Sequence, residues 1–242
     1  MKKRSLKFRL IVGGILAAIV PLTVVGVFSI MTASKAQVNA AKGQAMQIAA
    51  DLAAMTEITV EQEIKLARKM AVAPLVMAAA EKVRTSGVAG AESELKALDR
   101  FLVSVFEQIG SDYELLFMAG ADGATLADST GGTRRAKGDS VASRDYFAAA
   151  RSGQIGLSTP LRSMASGNPV FVVSVPLKTA SGQFAGIFGS VIKLDALAER
   201  MSQVKIGSTG YPFMTDQSGL TIAHPVQKHI LELNVTTLDG ME

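Results

Sequence analysis

The feature that most constrains this chain is an uncharged apolar run from Leu10 to Thr32. About 20 helical residues suffice to cross the hydrocarbon core of a bilayer, so the run is long enough for a membrane span. A basic tail precedes it, whereas the first cations after it are Lys35 and Lys42. This charge bias predicts that the tail lies in the cytoplasm and that everything after the run lies outside. The tail cations are Lys2, Lys3, Arg4, Lys7 and Arg9.

A cleaved secretory signal and a buried core helix are the alternatives to a permanent anchor. A secretory signal has an apolar stretch of only about 7 to 15 residues, which ends near a small-residue cleavage site. Here the nearest such site, Val38-Asn39-Ala40, lies well beyond the end of a longer run. A buried core helix is less compatible with Pro21, because proline removes a backbone hydrogen bond. A membrane span tolerates that loss better, so the anchor is the preferred interpretation.

The rest of the chain is nearly neutral. Its 242 residues leave room for the anchor and one generous or two small domains. Of the 25 Lys and Arg residues five lie in the tail, which leaves 20 against 21 Asp and Glu. A nucleic-acid partner therefore has no electrostatic support. The absence of cysteine excludes a disulfide framework, a thiolate metal site and cysteine catalysis.

Two helices are predicted after the apolar run. Residues 33 to about 80 are rich in Ala, Met, Gln and Glu, which are good helix formers. A narrow apolar stripe from Ile48 to Ile58 suits packing against a second helix, of the same chain or of a partner. Pro74 is expected to bend or restart this helix, and residues 86–90 are expected to break it. A second helix, from about Ala91 to Ile109, has the clearest apolar periodicity.

From Tyr113 onward the sequence indicates strands and hairpins, because short apolar stretches alternate with glycine-containing turns. Asp122-Gly123 is the expected turn between the first two strands. A polar loop follows, and Ser143 is the expected cap of a short helix, Arg144–Arg151. Another helix is predicted over Lys193–Gln203. The predicted strands are Tyr113–Met118, Ala124–Ala127, Ile155–Ser158, Pro169–Pro176, Phe184–Ile192, Tyr211–Thr215 and Leu220–Ala223.

Several motifs occur in an order that resembles a known family. They are Leu116-Phe117-Met118-Ala119-Gly120-Ala121-Asp122-Gly123, Ser143-Arg144-Asp145-Tyr146-Phe147, Ser158-Thr159-Pro160, Gly186-Ile187-Phe188-Gly189, Gly207-Ser208-Thr209-Gly210-Tyr211-Pro212-Phe213 and His224-Pro225. With the span and the long helix, they resemble the double Cache sensor domain of bacterial methyl-accepting chemotaxis proteins. Each motif alone is loose, and the resemblance depends on their order and spacing over nearly the whole chain.

The resemblance implies an α+β fold. The transmembrane helix continues into a long exterior helix, which packs on a PAS-like antiparallel sheet, and a second, smaller module begins after it. The implied segments are a cytoplasmic tail 1–9, a transmembrane helix 10–32, sensor helices 33–110, a membrane-distal ligand-binding module 111–204 and the start of a membrane-proximal module 205–242.

The resemblance also implies a function. The chain is expected to be the periplasmic or extracellular ligand-sensing part of a chemoreceptor in a bacterial inner membrane, cut short before its output region. A homodimer through the long helix and a small-molecule ligand are the expected partners, with the membrane itself. The same sensor heads also occur on histidine kinases and cyclic-dinucleotide enzymes, so these outputs are alternatives.

Arg144 is the first candidate ligand-binding residue, because a guanidinium can hold a carboxylate with two hydrogen bonds. Tyr146 adds an aromatic wall and a hydroxyl, and Phe147 lies beside it in the sequence. The amino-acid-sensing branch of the family has an arginine, one residue, a tryptophan and a tyrosine at this stretch. The arginine is therefore kept here, and the aromatic pair is changed.

Further positions of that amino-acid signature differ more. Where the branch has a tyrosine and an aspartate shortly after Ser-x-Pro, the chain has residues 161–164, Leu-Arg-Ser-Met. Where the branch has an aspartate after the Gly-x-x-Gly strand, the chain has Ser190 and Val191. A ligand ammonium would lack its carboxylate, which favours an organic anion over an amino acid. Arg162 and Ser190 complete the candidate set. In the alternative, Arg144 pairs with a neighbouring aspartate and Arg162 is a solvated loop residue.

Enzymatic, metal-binding and fibre-forming functions have less support in the sequence. The loop Gly131–Gly138 lacks the Gly-Lys-Ser/Thr ending of a phosphate loop, so a mobile loop near the pocket is the preferred interpretation. No acidic or cysteine set accompanies His224 and His229, so no metal or cofactor is expected. A membrane-anchored enzyme is the alternative from another class, but the hydrolase and metalloprotease motifs are missing. A pilin-like fibre subunit fits the basic tail poorly.

Overall fold

A computed structural model describes residues 6–207 and 209–238. The contacts within it divide the chain into two units, one that ends at Leu52 and one that begins at Ala53. The predictions made for the tail cations Lys2, Lys3 and Arg4, for Ser208 and for the last residues, 239–242, lie outside the described residues.

The chain forms six helices and eight strands within the described ranges. The helices are α1 (Leu6–Ala71), α2 (Pro74–Gly90), α3 (Glu92–Ile109), α4 (Thr133–Lys137), α5 (Asp145–Arg151) and α6 (Leu194–Ser202). The strands are β1 (Tyr113–Gly120), β2 (Thr125–Asp128), β3 (Gly156–Leu157), β4 (Leu161–Arg162), β5 (Pro169–Lys178), β6 (Phe184–Lys193), β7 (Met214–Thr215) and β8 (Thr221–Ala223). Two short 3-10 helices follow, at Gln227–His229 and Val235–Thr237.

The first unit is helical throughout its described residues. Among those residues one stretch, which starts at Gly13, is long and apolar enough to cross a bilayer, with a mean hydropathy of 2.3 over its most apolar window. Phe28 and Ile30 are 70% and 71% exposed there. Large apolar side chains so exposed are typical of a surface that faces lipid or a partner. Pro21 lies inside α1 without ending it.

In the second unit, Pro74 restarts the helical layer. Helix α1 ends at Ala71, Ala73 is extended with ψ of 137°, and Pro74 takes the first position of α2. A proline fits that position because the first backbone N–H of a helix has no intrahelical acceptor. The break predicted over residues 86–90 lies at Gly87, whose φ of 69° interrupts α2. The predicted second helix is α3.

The main sheet is antiparallel throughout. Its strands follow the order β2-β1-β6-β5-β3, and β4 also pairs with β5. Strand β6 is central, with Phe117 of β1 opposite Gly189 and Val172 of β5 opposite Val191. Nearly all of β6 is buried, as expected for a strand with packed layers on both faces.

Alternate residues of the strands build two separate cores, because successive side chains of a strand point to opposite faces. On one face, Leu116, Met118 and Phe188 pack with buried residues of α2 and α3. On the other face, Leu115 and Phe117 pack with the beginning of α5 and with β5. This arrangement of helices on an antiparallel sheet confirms the predicted α+β fold class.

A second, two-stranded sheet is formed by β7 and β8. Its turn is closed by Asp216, whose Oδ1 accepts hydrogen bonds from the backbone N–H groups of Ser218 and Leu220 at 2.8 and 3.0 Å. The hairpin lies where the sequence predicts the start of a smaller module.

Local predictions differ from the structure at three places. Arg144, and not Ser143, is the cap residue of α5, and it makes no side-chain capping hydrogen bond. Helix α4 occupies part of a stretch predicted as loop, because its start is held by a side chain from β2. Strand β4 is two residues long and has no periodicity by which a sequence could reveal it.

Candidate functional site

A cleft opens on the face of the main sheet opposite α2 and α3. It encloses about 480 Å³, part of which is open to solvent. The floor of the cleft is apolar and comes from three adjacent strands, with side chains from Leu115, Phe117, Val170, Val172 and Val191.

Two loops form the walls of the cleft and supply its polar groups. The first loop runs from β2 to α5, and the second joins β4 to β5. These two segments contribute Arg134, Asp139, Arg144 and Ser163, while α5 contributes Tyr146 and β2 contributes Thr125. An apolar floor with a few polar groups on the walls is typical of sites that bind small organic molecules.

Arg144 is fixed through its backbone and has a free side chain. Its N–H donates to Val141 O at 3.0 Å, and its carbonyl accepts from the N–H of Phe147 at 3.1 Å. Among the described residues, no carboxylate forms an ion pair with its guanidinium. The pairing with a neighbouring aspartate, the alternative raised by the sequence, is therefore absent from this structure. The guanidinium is available to a ligand in the cleft.

Tyr146 lies beside Arg144 at the first turn of α5, and only 5% of it is exposed. Burial raises the pKa of its phenol to about 12, an effect that the charge of Arg144 partly offsets. The hydroxyl is therefore neutral over the physiological range. In that state it can donate a hydrogen bond to an anion.

Arg134 and Asp139 form an ion pair in the wall of the cleft. Nη1 of Arg134 lies 3.4 Å from Oδ2 of Asp139, and both side chains are mostly buried. Each compensates the charge of the other. Among the charged residues that line the cleft, Arg144 therefore carries a positive charge that no lining carboxylate balances.

The carboxylate of Asp128 shapes the loop that carries Arg134. It accepts hydrogen bonds from the backbone N–H groups of Thr130, Gly132 and Arg134 at 2.8, 3.3 and 2.9 Å, and from the hydroxyl of Thr130. Gly132 has a φ of 85°, which favours glycine. The glycine-rich basic segment thus lies beside the cleft, but it contains α4 where the sequence predicts a mobile loop. The sequence did not indicate Arg134 and Asp139 as lining residues, although the basic character of this loop was a signal.

The other three predicted site residues lie outside the lining of the cleft. Phe147 is in the adjacent core, edge-on to Phe184 with ring centroids 6.1 Å apart. Arg162 forms an ion pair with Glu232 and also donates to Gly167 O at 3.3 Å. Ser190 is 1% exposed, and its hydroxyl has no hydrogen-bond partner among the described residues.

Ser190 belongs to the helix-facing side of the sheet. Its partners across the sheet are Leu116 of β1 and Val173 of β5, which both belong to the core under the helices. The next residue, Val191, points the other way and lines the cleft. The structure thus brings Arg144 and Tyr146 together at one site and places Phe147, Arg162 and Ser190 elsewhere.

The described residues contain no cluster of three or more His, Cys, Asp or Glu side chains that could hold a metal ion. The rings of His224 and His229 are 4.8 Å apart, and burial lowers the pKa of His224. Nδ1 of His224 accepts a hydrogen bond from Val226 N at 2.9 Å. This contact gives the His224 ring a structural role at the end of β8.

Comparison with known proteins identifies related sequences and folds. The family model of the Cache domain matches residues 33–241. The methyl-accepting chemotaxis protein McpA of Pseudomonas putida is 31% identical over 88 residues, which are 36% of this chain and 14% of that protein. The chain spans less than a quarter of the length of the curated relatives that it matches.

Solved structures share the fold at low sequence identity. The sensor domain of the histidine kinase DctB of V. cholerae superposes with a TM-score of 0.57 at 17% identity, over 73% of this chain and 64% of that chain. The ligand-binding domain of the amino acid chemoreceptor PctC of Pseudomonas aeruginosa, in complex with GABA, gives a TM-score of 0.51 at 17% identity, over 75% and 74% of the two chains.

Proposed function

Because this chain belongs to the Cache domain family, we propose that it is the ligand-sensing part of a transmembrane chemoreceptor and that the cleft beside Arg144 binds its solute. The curated relatives that it matches are methyl-accepting chemotaxis proteins. The observation that carries the proposal is a guanidinium and a phenol, both without a side-chain partner among the described residues, at the wall of an apolar cleft. We propose a binding role without catalysis.

The solute we propose is a small organic anion. Asp139 already compensates Arg134, so the excess positive charge of Arg144 attracts a carboxylate. A carboxylate accepts two hydrogen bonds from one guanidinium, and Tyr146 can donate a third. An α-amino acid would bring an ammonium group into a wall whose lining carboxylate is already paired. The apolar floor suits a short carbon chain.

A binding screen on the full chain in detergent micelles tests this proposal. Short organic acids and amino acids are titrated while the unfolding temperature is followed, since a ligand that binds only the folded state raises it. We expect at least one organic acid to raise the unfolding temperature, and Arg144→Ala to abolish the rise. Arg162→Ala is the matched control, because its guanidinium pairs with Glu232 away from the cleft. A rise that persists in Arg144→Ala would contradict the proposal.

We propose that the tail 1–9 is cytoplasmic, that residues 10–32 span the inner membrane and that the modules 111–204 and 205–242 lie outside. The charge bias around the apolar run supports this orientation. A phosphatase that is active only outside the cytoplasm, fused after Glu242, should be active. An inactive phosphatase, with an active cytoplasmic reporter at the same place, would reverse the orientation.

We also propose a homodimer through the apolar stripe of α1 between Ile48 and Ile58. Because the chain has no cysteine, single engineered cysteines report crosslinks without background. Cysteines at Ile48, Leu52 or Met55 should crosslink two copies. Cysteines at Ala50 and Glu57, on the opposite side of the helix, are the controls. Equal crosslinking on both sides would argue against this interface.

A sensor head of a histidine kinase is the second candidate, since the DctB sensor domain shares the fold. The binding cleft would serve either receptor in the same way. Reading the coding DNA beyond the codon for Glu242 distinguishes them. A long helical region of the methyl-accepting kind would support the chemoreceptor, and a kinase domain would support the alternative. Turnover of a bound organic acid would instead indicate a membrane-anchored enzyme.

A further inference from the structure

A carboxylate from β1 holds the loop that forms the second wall of the cleft. Oε1 of Glu114 accepts a hydrogen bond from the hydroxyl of Ser163, and Oε2 accepts one from the hydroxyl of Ser166 at 2.7 Å. Both serines belong to the loop between β4 and β5, 49 and 52 residues further along the chain. Glu114 therefore joins a strand of the cleft floor directly to the wall.

Glu114 reaches this loop because the register of β1 is irregular at its position. Successive residues of a strand face opposite sides, yet Tyr113 packs beneath the helices and Leu115, two residues on, lies in the floor of the cleft. The pairing of β1 with β6 shifts between those two residues. Such bulges redirect a side chain and are common beside active sites. Glu114 is the extra residue, and it is partly buried in a strand whose other residues are buried.

The hydroxyl of Ser163 is already engaged on both sides. It donates to Glu114 and accepts a hydrogen bond from the N–H of Ala165 at 3.0 Å. Ser163 lines the cleft together with Met164 and Ala165. Because the hydroxyl is turned to Glu114, this wall offers a ligand mainly the apolar side chains of Met164 and Ala165.

We infer that Glu114 is a positioning residue of the binding site, which acts through Ser163 and Ser166. The two serines hold Met164 and Ala165 against the carbon chain of the ligand. The inference rests on the proposed function, in which the carboxylate of the ligand lies at the other wall. The class of ligand that follows is a short monocarboxylic acid with an aliphatic chain.

A series of unbranched acids tests this role. Acetate, propionate and butyrate differ only in the number of methylene groups. Each methylene buried against the wall strengthens binding about threefold to fourfold. In calorimetric titrations of the full chain in detergent micelles, butyrate should therefore bind about tenfold more tightly than acetate.

Variants of the clamp should change this ratio of affinities. Glu114→Ala releases both serines and should reduce the ratio to within about threefold. Glu114→Gln should restore it, because an amide can accept from one serine hydroxyl and donate to the other. The matched control is Ser202→Ala, which removes a hydroxyl that donates to Glu199 O at 2.7 Å within α6. That control should keep the tenfold ratio.

Ser166→Ala gives an independent test, since Ser166 lies outside the lining of the cleft. It removes one of the two hydrogen bonds and should reduce the ratio about twofold. In the double variant with Glu114→Ala, the ratio should be the same as in Glu114→Ala alone, because both substitutions remove the same contact. Additive effects, or an unchanged ratio in Ser166→Ala, would overturn the role of the clamp.

A stability control separates positioning from general weakening of the fold. Val105 is partly buried against the core beneath the helices. Val105→Ala should lower the unfolding temperature and keep the tenfold ratio. A reduced ratio in Val105→Ala would show that the ratio follows stability, and the role of Glu114 would be overturned.

The outcomes also separate this inference from the function on which it rests. A tenfold ratio that persists in Glu114→Ala, or equal binding of all three acids to the wild type, would overturn the role of Glu114. If Arg144→Ala still abolished binding in either case, the proposed function would stand. If no organic acid bound the wild-type chain, the proposed function would fail, and the role of Glu114 would fail with it.

Discussion

Arg135 donates from Nη2 to the carboxylate of Asp99 on α3 at 2.7 Å, and so ties the loop at the cleft to the helical layer. Asp99 is 4% exposed, and its other oxygen accepts from the N–H of Asp128 at 2.9 Å. Arg135 donates a further hydrogen bond to Leu126 O. Asp99 therefore holds both the last residue of β2, Asp128, and the middle of α4, at Arg135.

Asp99→Ala should destabilise the second unit by about 3 kcal/mol, because loss of one partner leaves a mostly buried guanidinium unpaired. Urea unfolding followed by circular dichroism measures the change. The matched control is Glu92→Gln on the same helix, where an exposed ion pair with Lys96 is removed. That control should cost less than about 0.5 kcal/mol. Equal effects of the two substitutions would contradict the structural role of Asp99.

Tyr146→Phe should weaken binding of the organic acid by about threefold to tenfold, since one hydrogen bond is lost and the ring is kept. The loss should be the same from pH 6 to pH 9, because the pKa of about 12 keeps the phenol neutral over that range. Calorimetric titration at several pH values measures both the loss of affinity and its dependence on pH. Tyr211→Phe, at an exposed tyrosine, is the control and should bind as the wild type does. A loss confined to one end of the pH range would be inconsistent with a neutral donor.

The phenol of Tyr146 should also make the fold sensitive to alkali. Burial raises its pKa to about 12, whereas an unfolded chain has a value of about 10. The contribution of the neutral phenol to the free energy of unfolding is fully present below pH 10 and is lost as the pH rises through 12. The free energy of unfolding should therefore fall by up to about 3 kcal/mol more in the wild type than in Tyr146→Phe between those limits. If the free energy of unfolding fell equally with pH in the wild type and in Tyr146→Phe, this phenol would not be buried.

Gly189→Ala should disturb both the fold and the cleft. A Cβ at Gly189 would lie 2.3 Å from two ring carbons of Phe117, so the ring must move from its place in the floor of the cleft. We expect a loss of about 1 to 3 kcal/mol in unfolding free energy. Acid affinity should fall as well, and calorimetry measures it. Gly43→Ala is the control, because no atom lies within 4 Å of its added Cβ. Unchanged affinity in Gly189→Ala would exclude Phe117 from the ligand contact.

The regular elements were predictable where their periodicity is long. The helix predicted from Ala91 to Ile109 is α3, Glu92–Ile109, and the strand predicted over Phe184–Ile192 is β6, Phe184–Lys193. Both patterns are local, because apolar spacing alone sets which side faces the core. Helix α4 was not predictable in this way, since a carboxylate from β2 holds its first turn.

The cleft was predictable only where neighbours in sequence are neighbours in space. Arg144 and Tyr146 lie together because they begin the same short helix. Ser190 was chosen from its place in a strand motif, but a strand reverses side at every residue, and Val191 is the one on the cleft side. Arg162 pairs with Glu232, 70 residues further on, and no local pattern reveals that contact.

Strand β1 has the cleft on one side and the helices on the other. Leu115 and Phe117 lie in the floor of the cleft, while Leu116 and Met118 lie in the core beneath the helices. Closely packed interiors transmit displacement because they contain little empty space. A solute that displaced Leu115 or Phe117 would therefore disturb the helical layer across the backbone of a single strand.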